Sequence, residues 1–299
     1  MAFDLITILG PTATGKTKIA VKLASDFNGE IISADSRQVY KGMDIGTGKD
    51  LIEFQKLNIN HHLIDIIEPS EEYNLFAFTK DFENAFRIIS KKGKLPIMAG
   101  GTGLYLSAIL QNYILPEISG ESEYDKLMSL DIDELKEQLI NLKAQLHNKT
   151  DLRDKDRIVK AILIEKSREE YKGNIPKFSS LNIGIRQERD EIKKRITARL
   201  KERFKIGMIE EVEKLLRNGI SMKKLEYFGL EYKYIALYLD GKLNYNDMFQ
   251  KLNSAIHNFA KRQMTWFRKM EREGVKIAWF SPDNYPAIKN FVYNQLNDV

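Results

Sequence analysis

An α/β fold is what this sequence predicts: a parallel sheet with helices on both faces, interrupted by a helical insertion. Three observations carry the prediction. Strand-length apolar runs alternate with helical stretches through the first hundred residues, which is the rhythm of a parallel sheet. The first strand-to-helix junction reads Gly10-Pro11-Thr12-Ala13-Thr14-Gly15-Lys16-Thr17, matching the phosphate-loop pattern G-x-x-x-x-G-K-[ST] in the strand–loop–helix setting it requires. From about residue 113 the alternation stops, and 121–170 reads as polar and helical without a comparable strand. At 299 residues the chain is long for one compact domain. The expected division is a catalytic core of 1–112 plus about 181–299, with an insertion over about 113–180.

The elements follow in order. Residues 3–9 form the first strand and 16–27 the first helix. Ile31-Ile32 after Gly29 mark the second strand, and Leu63-Ile64-Asp65-Ile66-Ile67 a third. The helical pattern over 75–91 puts Phe76, Phe78, Phe82, Phe86 and Ile89 on a core-facing stripe. Leu95-Pro96-Ile97-Met98-Ala99 reads as a buried strand, and Leu181–Ile185 as another. A long helical stretch covers 188–218, with Gly219 as its stop. Val275–Phe280 is the last strand candidate.

Composition narrows the function classes. With 43% hydrophobic residues the chain can bury a core, and 30% charged residues favour solubility. The absence of cysteine removes disulfides and thiolate metal sites. Met1–Asp4 leads straight into a strand-like run with no basic leader, and no apolar stretch approaches 18 residues, so a cytoplasmic protein is expected. The net charge of +5 is mild, but its distribution is uneven. Residues 186–205 carry nine Lys or Arg against four acidic residues, whereas 117–156 carry eleven acidic against six basic.

The glycines of the phosphate loop let successive backbone N–H groups point inward, forming an anion nest at a helix N-terminus. Lys16 adds a point charge and Thr17 a hydroxyl suited to magnesium. The loop alone does not say whose phosphates it holds. A nucleotide-hydrolysing enzyme usually adds an apolar strand ending in a magnesium-holding Asp. Here the most apolar strand ends in Gly100-Gly101-Thr102-Gly103-Leu104-Tyr105 instead, and Asp65 is a poor substitute, which counts against a motor or signalling ATPase. The second strand runs into Asp35-Ser36-Arg37-Gln38. A carboxylate just past a parallel strand, beside a phosphate loop, lies in the site crevice. It can hold magnesium through water, accept a proton from a nucleophile, or cap the next turn. Its neighbours suit the edge of a base, since amide side chains pair with adenine. His61-His62 read as hydrogen-bonding histidines rather than zinc ligands.

The chain resembles the tRNA dimethylallyltransferase (tRNA isopentenyltransferase) family. The resemblance rests on "GPTATGKT", "ISADSRQVY", "KGMDIGTGK" at 41–49, "HHLID" at 61–65, "GGTGLY" at 100–105, "DKDRIVKA" at 154–161 and "AKRQMTWFR" at 260–268. They stand in the family's order along most of the chain. The resemblance implies a P-loop NTPase-like core and transfer of a dimethylallyl group from dimethylallyl diphosphate to the exocyclic amine of adenosine 37 beside the tRNA anticodon. It implies roles as well: Lys16 and the amides of 12–17 hold the diphosphate, Thr17 binds magnesium, and Asp35 is the general base. Thr102 lies near substrate, and Ser36, Arg37, Gln38 and Arg262 lie along the tRNA. Arg157 and Lys160 match a basic pair that meets substrate and tRNA. The partners implied are dimethylallyl diphosphate and the anticodon stem-loop, whose phosphates the basic residues of 186–205 and 261–269 would meet. The insertion would form a second jaw on the RNA. An enzyme prenylating free adenylate, or a small-molecule kinase, is the alternative.

Overall fold

The computed structural model describes residues 3–113, 121–142, 154–170 and 177–297. In chain order it contains β1 (Leu5–Leu9), α1 (Lys16–Asp26), β2 (Gly29–Ala34), α2 (Leu51–Lys56), β3 (His61–His62), α3 (Leu75–Lys91), β4 (Leu95–Gly100) and α4 (Gly103–Leu110). Then come α5 (Glu121–Ser129), α6 (Ile132–Asn141), α7 (Lys155–Glu170), β5 (Ser180–Ile185), α8 (Arg189–Lys205), α9 (Met208–Arg217) and α10 (Met222–Tyr227). The chain closes with α11 (Leu230–Leu239), α12 (Tyr245–Arg272), β6 (Ala278–Phe280) and α13 (Tyr285–Asn297).

The six strands form one sheet in the order β3-β2-β4-β1-β5-β6, and every pairing is parallel. Alternate side chains serve opposite faces. Ile6, Ile8, Ile31 and Ile97 pack with α1, α2 and α13. Leu5, Leu9, Ile32 and Met98 pack with α3, α4 and the helices from α8 to α12. The sheet is therefore covered on both sides, as its near-continuous apolar strands require. Asn74 sets the start of α3 by accepting the Ala77 N–H at 2.9 Å. Phe78, Phe82 and Ile89 are fully buried and Phe86 packs beside them. Phe76 falls off that stripe, since a residue two positions from Phe78 cannot share its helical face.

Three expected elements differ. The strand expected over 63–67 is displaced to His61–His62, because Leu63 and Asp65 both adopt left-handed backbone. Asp65 turns there to meet the buried ammonium of Lys49. The helix expected over 188–218 is two helices, broken where Gly207 takes φ 101°. α9 does end at Gly219 (φ 87°), whose N–H bonds Leu216 O while Ile220 N–H bonds Leu215 O. The last strand covers 278–280 only.

The chain divides into two compact units, Met1–Gln111 with Lys177–Val299, and Asn112–Pro176. Within the smaller unit α5, α6 and α7 close over Leu127, Leu135, Leu139, Ile158, Val159, Ile162 and Leu163. Asp131 and Glu134 form a capping box at the start of α6.

Candidate active site

Three of the loops singled out above leave the carboxyl ends of adjacent strands: 10–17 after β1, 35–40 after β2 and 100–105 after β4. In an open parallel sheet this edge is where ligands bind. The phosphate loop is tied to itself. Thr14 Oγ1 donates to Pro11 O at 2.9 Å, and Lys16 Nζ donates to the same carbonyl at 2.7 Å. Gly15 takes φ 80° as the chain enters α1, a conformation that a residue with a Cβ adopts only at a cost. Burial, followed by repulsion from Arg199, pushes the Lys16 ammonium down to about 8, partly opposed by Asp35 and Asp50.

Asp35 sits at the mouth of this loop. Its Oδ1 accepts the Arg37 N–H at 3.0 Å, an Asx turn that fixes the carboxylate. Thr102 occupies the N-cap position of α4, but its side chain bonds none of that helix's amides; its Oγ1 accepts the Ser36 N–H at 3.1 Å instead. The Thr102 hydroxyl thereby joins the β4 loop to the Asp35 loop. Gln38, expected along the acceptor surface, has both ends of its carboxamide engaged: Ser33 Oγ donates to Oε1 at 2.9 Å, and Nε2 donates to Gly48 O at 3.2 Å. It holds two loops together instead of presenting an amide edge. Arg37 lies 4.6 Å from the Tyr227 ring centroid in a cation–π contact.

The segment 41–49 walls the site from the other side. One carboxylate, Glu211, accepts the N–H groups of Asp44, Ile45 and Gly46 at 2.7–3.0 Å and the Tyr232 hydroxyl at 2.7 Å. Burial and that carboxylate hold the Tyr232 phenol protonated. Lys49, only 1% exposed, anchors the far end through Tyr40 O, Asp44 and Asp65. The basic run of α8 is divided by this packing. Arg203 is buried and donates to Gly46 O at 3.0 Å and to Glu231 at 3.2 Å. Burial and Arg199 push its guanidinium down to about 10. Arg199 faces the phosphate loop. A Cβ on Gly48 would overlap the Arg199 and Arg203 guanidinium groups, so glycine permits their close approach. These two arginines therefore belong to the site rather than to an outer RNA-facing surface, a separation the run's sequence does not reveal.

α12 completes the arrangement with a residue that motif reading passed over. Gln263, 7% exposed, accepts the Thr12 N–H at 2.8 Å and donates to Gly101 O at 2.8 Å. It braces the phosphate loop against the β4 loop and occupies the Thr12 amide, leaving the amides of 13–17 for an anion. Trp266 donates its indole N–H to Ser107 Oγ at 2.8 Å, and its ring lies where a Cβ on Gly103 would sit 2.4 Å away. Phe267, the next residue of α12, is fully buried in the core. Arg262 is exposed at the rim, 5.8 Å from the Phe259 ring centroid.

Together these groups enclose a cavity with two lobes. A polar lobe of about 570 Å³ is lined by Lys16, Thr17, Asp50, Arg195 and Arg199. A more apolar lobe of about 530 Å³ is lined by Arg37, Leu104, Phe228, Ile256, Arg262 and Trp266. Asp35, Arg199 and Gln263 line both. The Thr17 hydroxyl with the Asp35 and Asp50 carboxylates is a hard oxygen donor set, the chemistry that suits magnesium shared with a phosphate. Among the described residues no group of three or more His, Asp or Glu side chains has metal-site geometry. His62 instead bonds the buried Glu30 at 2.8 Å, and His61 lies against Phe54. Arg157 and Lys160 are on α7, but their side chains lie outside the described residues. No helix among the described residues is long and apolar enough to cross a membrane.

The chain matches the family model for IPP transferase over residues 38–270 and that for isopentenyl transferase over 3–63. It is 51% identical over 303 residues to tRNA dimethylallyltransferase 1 of Geotalea uraniireducens, covering 100% of this chain and 99% of that one. It is 50% identical to tRNA dimethylallyltransferase 2 of Citrifermentans bemidjiense, covering 95% and 92%. Among solved structures, a full-length tRNA isopentenylpyrophosphate transferase from Bacillus halodurans superposes with a TM-score of 0.73 at 32% identity, covering 99% of this chain and 97% of that one.

Proposed function

The chain belongs to the IPP transferase family, and we infer that it transfers a dimethylallyl group from dimethylallyl diphosphate to the exocyclic amine of adenosine 37 beside the tRNA anticodon, releasing diphosphate. The observation that carries the reading is the position of Asp35 at the junction of the two lobes. Diphosphate belongs in the polar lobe, and the prenyl group with its acceptor base in the apolar one, so the reacting carbon falls beside a carboxylate.

In this mechanism the amine nitrogen attacks the allylic carbon as the carbon–oxygen bond breaks and its electron pair leaves with the diphosphate. Asp35 accepts the proton that the amine loses. Lys16, Arg199 and the amides of 13–17 stabilise the charge gathering on the leaving group. Magnesium, held at Thr17 with help from Asp50, would supply further neutralisation of that diphosphate when bound. Gln263 and Thr102 keep the three loops in register.

On the RNA side, Ser36, Arg37, Thr102 and Arg262 border the acceptor lobe. Arg157 and Lys160 are assigned to tRNA on sequence resemblance. The target base lies in a loop, where extrusion costs less than from a duplex. Such a substrate places the enzyme in the cytoplasm. Transfer from labelled dimethylallyl diphosphate to matched anticodon stem-loops carrying adenosine or guanosine at position 37 tests the assignment. Label on the adenosine RNA alone is expected; equal label on both, or none on either, would overturn it.

A further inference from the structure

Glu211 lies one turn into α9, a helix anchored by Met208, Val212 and Leu215, which are buried in the core. Its Oε2 accepts the N–H groups of Asp44 at 2.8 Å and Ile45 at 2.7 Å, and its Oε1 accepts that of Gly46 at 3.0 Å. Three successive backbone amides converging on one anion form a nest, and here the anion is part of the chain. The Tyr232 hydroxyl donates to Oε1 as well, at 2.7 Å. Hydrogen bonds to a charged acceptor are the strong ones, so these four donors fix the turn at 44–46 to α9.

Gly46 is held on three sides. Arg203 donates to its carbonyl at 3.0 Å from α8. A Cβ on it would overlap the Tyr232 ring, so that ring packs directly on its backbone. The N–H, the carbonyl and the α-carbon of one residue are thus set by α9, α8 and α11. The segment that follows is shared by the two lobes. Gly46 and Thr47 line the apolar lobe, and Thr47, Gly48 and Asp50 line the polar one. Gly48 O accepts the Gln38 Nε2 at 3.2 Å, which ties the segment to the loop carrying Asp35. Glu211 itself lines neither lobe.

We propose that Glu211 is a positioning residue for the transfer reaction. It is a built-in anion that sets the 44–46 turn and, through Gly46, places the segment 47–50 against Asp35 and the diphosphate. The proposal rests on the reading of the two lobes as donor and acceptor sites, and adds a residue that touches neither substrate. Arg203, bonded to the other end of Gly46, is the second half of the same grip. Glu211→Gln keeps the shape of the side chain and localises the damage. An amide offers one acceptor oxygen and one donor NH2. The oxygen retains Asp44 and Ile45 and the NH2 turns to the Tyr232 oxygen, so the bond lost is the one to Gly46.

The test compares wild type, Glu211→Gln, Arg203→Met and the double variant. Ile288→Ala is the stability control, since Ile288 is fully buried on the other face of the sheet. kcat for prenyl transfer to an anticodon stem-loop is measured well below the melting temperature of every variant, with inorganic diphosphate affinity measured by calorimetry. Glu211→Gln should lower kcat by about 10–100-fold, as a displacement near 1 Å does. Its diphosphate affinity should stay within about threefold of wild type, because Lys16, Arg199 and the amides of 13–17 remain. The double variant should be within about threefold of the slower single variant, because both act through Gly46. Ile288→Ala should keep the wild-type kcat. A kcat loss under about tenfold in Glu211→Gln, or an equal loss of diphosphate affinity, would leave Glu211 as support for the fold alone. Multiplying losses in the double variant, or a control as slow as Glu211→Gln, would overturn the proposal as well. Wild-type protein that binds diphosphate but transfers nothing to the stem-loop would remove the reading of the two lobes, and the proposal with it.

Discussion

Replacing Gln263 by Leu keeps the volume of the side chain and removes its amide. The Thr12 N–H and the Gly101 carbonyl, each bonded at 2.8 Å in the native protein, then lose their partner where Gln263 is 7% exposed. A lost hydrogen bond costs about 1 kcal/mol net, and an unsatisfied buried group about 1–3 kcal/mol. Two such groups, partly rescued by water from the cavity, give about 2–4 kcal/mol of destabilisation. That corresponds to a melting temperature lower by roughly 3–6 °C for a chain of this size. The larger effect is on catalysis. With the brace gone, the phosphate loop and the β4 loop shift independently, and a displacement near 1 Å of reacting groups costs about 10²-fold. The assay pairs thermal unfolding with kcat/KM for prenyl transfer to an anticodon stem-loop. A variant that loses stability yet keeps kcat/KM within about twofold of wild type would show that Gln263 stabilises the fold without aligning the loops.

Three further outcomes are expected. Asp35→Asn should lower kcat by about 10²-fold or more with diphosphate and RNA affinity near wild type, because proton acceptance alone is lost; near-normal single-turnover rates would remove Asp35 from the base role. Lys16 has its ammonium lowered from 10.5 to about 8, so the unliganded protein loses this charge above that pH while bound diphosphate favours keeping it. Diphosphate affinity should then be flat below about pH 8 and fall by up to tenfold per unit above it, and calorimetric titration of Lys16→Ala should show weaker binding without that pH dependence. Gly103→Ala should cost about 1–3 kcal/mol through overpacking against Trp266, and in denaturant unfolding the same change made in a Trp266→Leu background should cost much less, since the two residues are in contact.

The parts of this site that were legible in the sequence are those whose geometry is local. The phosphate loop is dictated by its own glycines and by the strand and helix flanking it, so the pattern alone places Lys16 and Thr17. Asp35 was legible because it follows an apolar strand end. Gln263 was not, because its partners Thr12 and Gly101 are 251 and 162 positions away and nothing in a helical Gln signals them. The α8 run shows the same limit. Nine basic residues read as one charged surface, yet Arg203 is buried against Gly46 and Glu231, Arg199 faces the phosphate loop, and Arg189 and Lys193 line an outer groove. Only the packing of loop 41–49 on α8 separates them. The break at Gly207 was hidden because helical periodicity resumes immediately after it, and one glycine inside such a pattern is often tolerated. The strand at 61–62 was displaced by Asp65, whose left-handed turn toward Lys49 is a tertiary effect.

The most direct measurement is the stoichiometry of the reaction itself, read by mass spectrometry of the RNA and by released diphosphate in the same tube. Purified protein, dimethylallyl diphosphate, magnesium and an unmodified tRNA should yield one dimethylallyl group on the adenosine next to the anticodon for each diphosphate released, with no consumption of ATP when it is added. Transfer to free AMP with the tRNA untouched, or hydrolysis of ATP with no prenyl group transferred, would contradict the account.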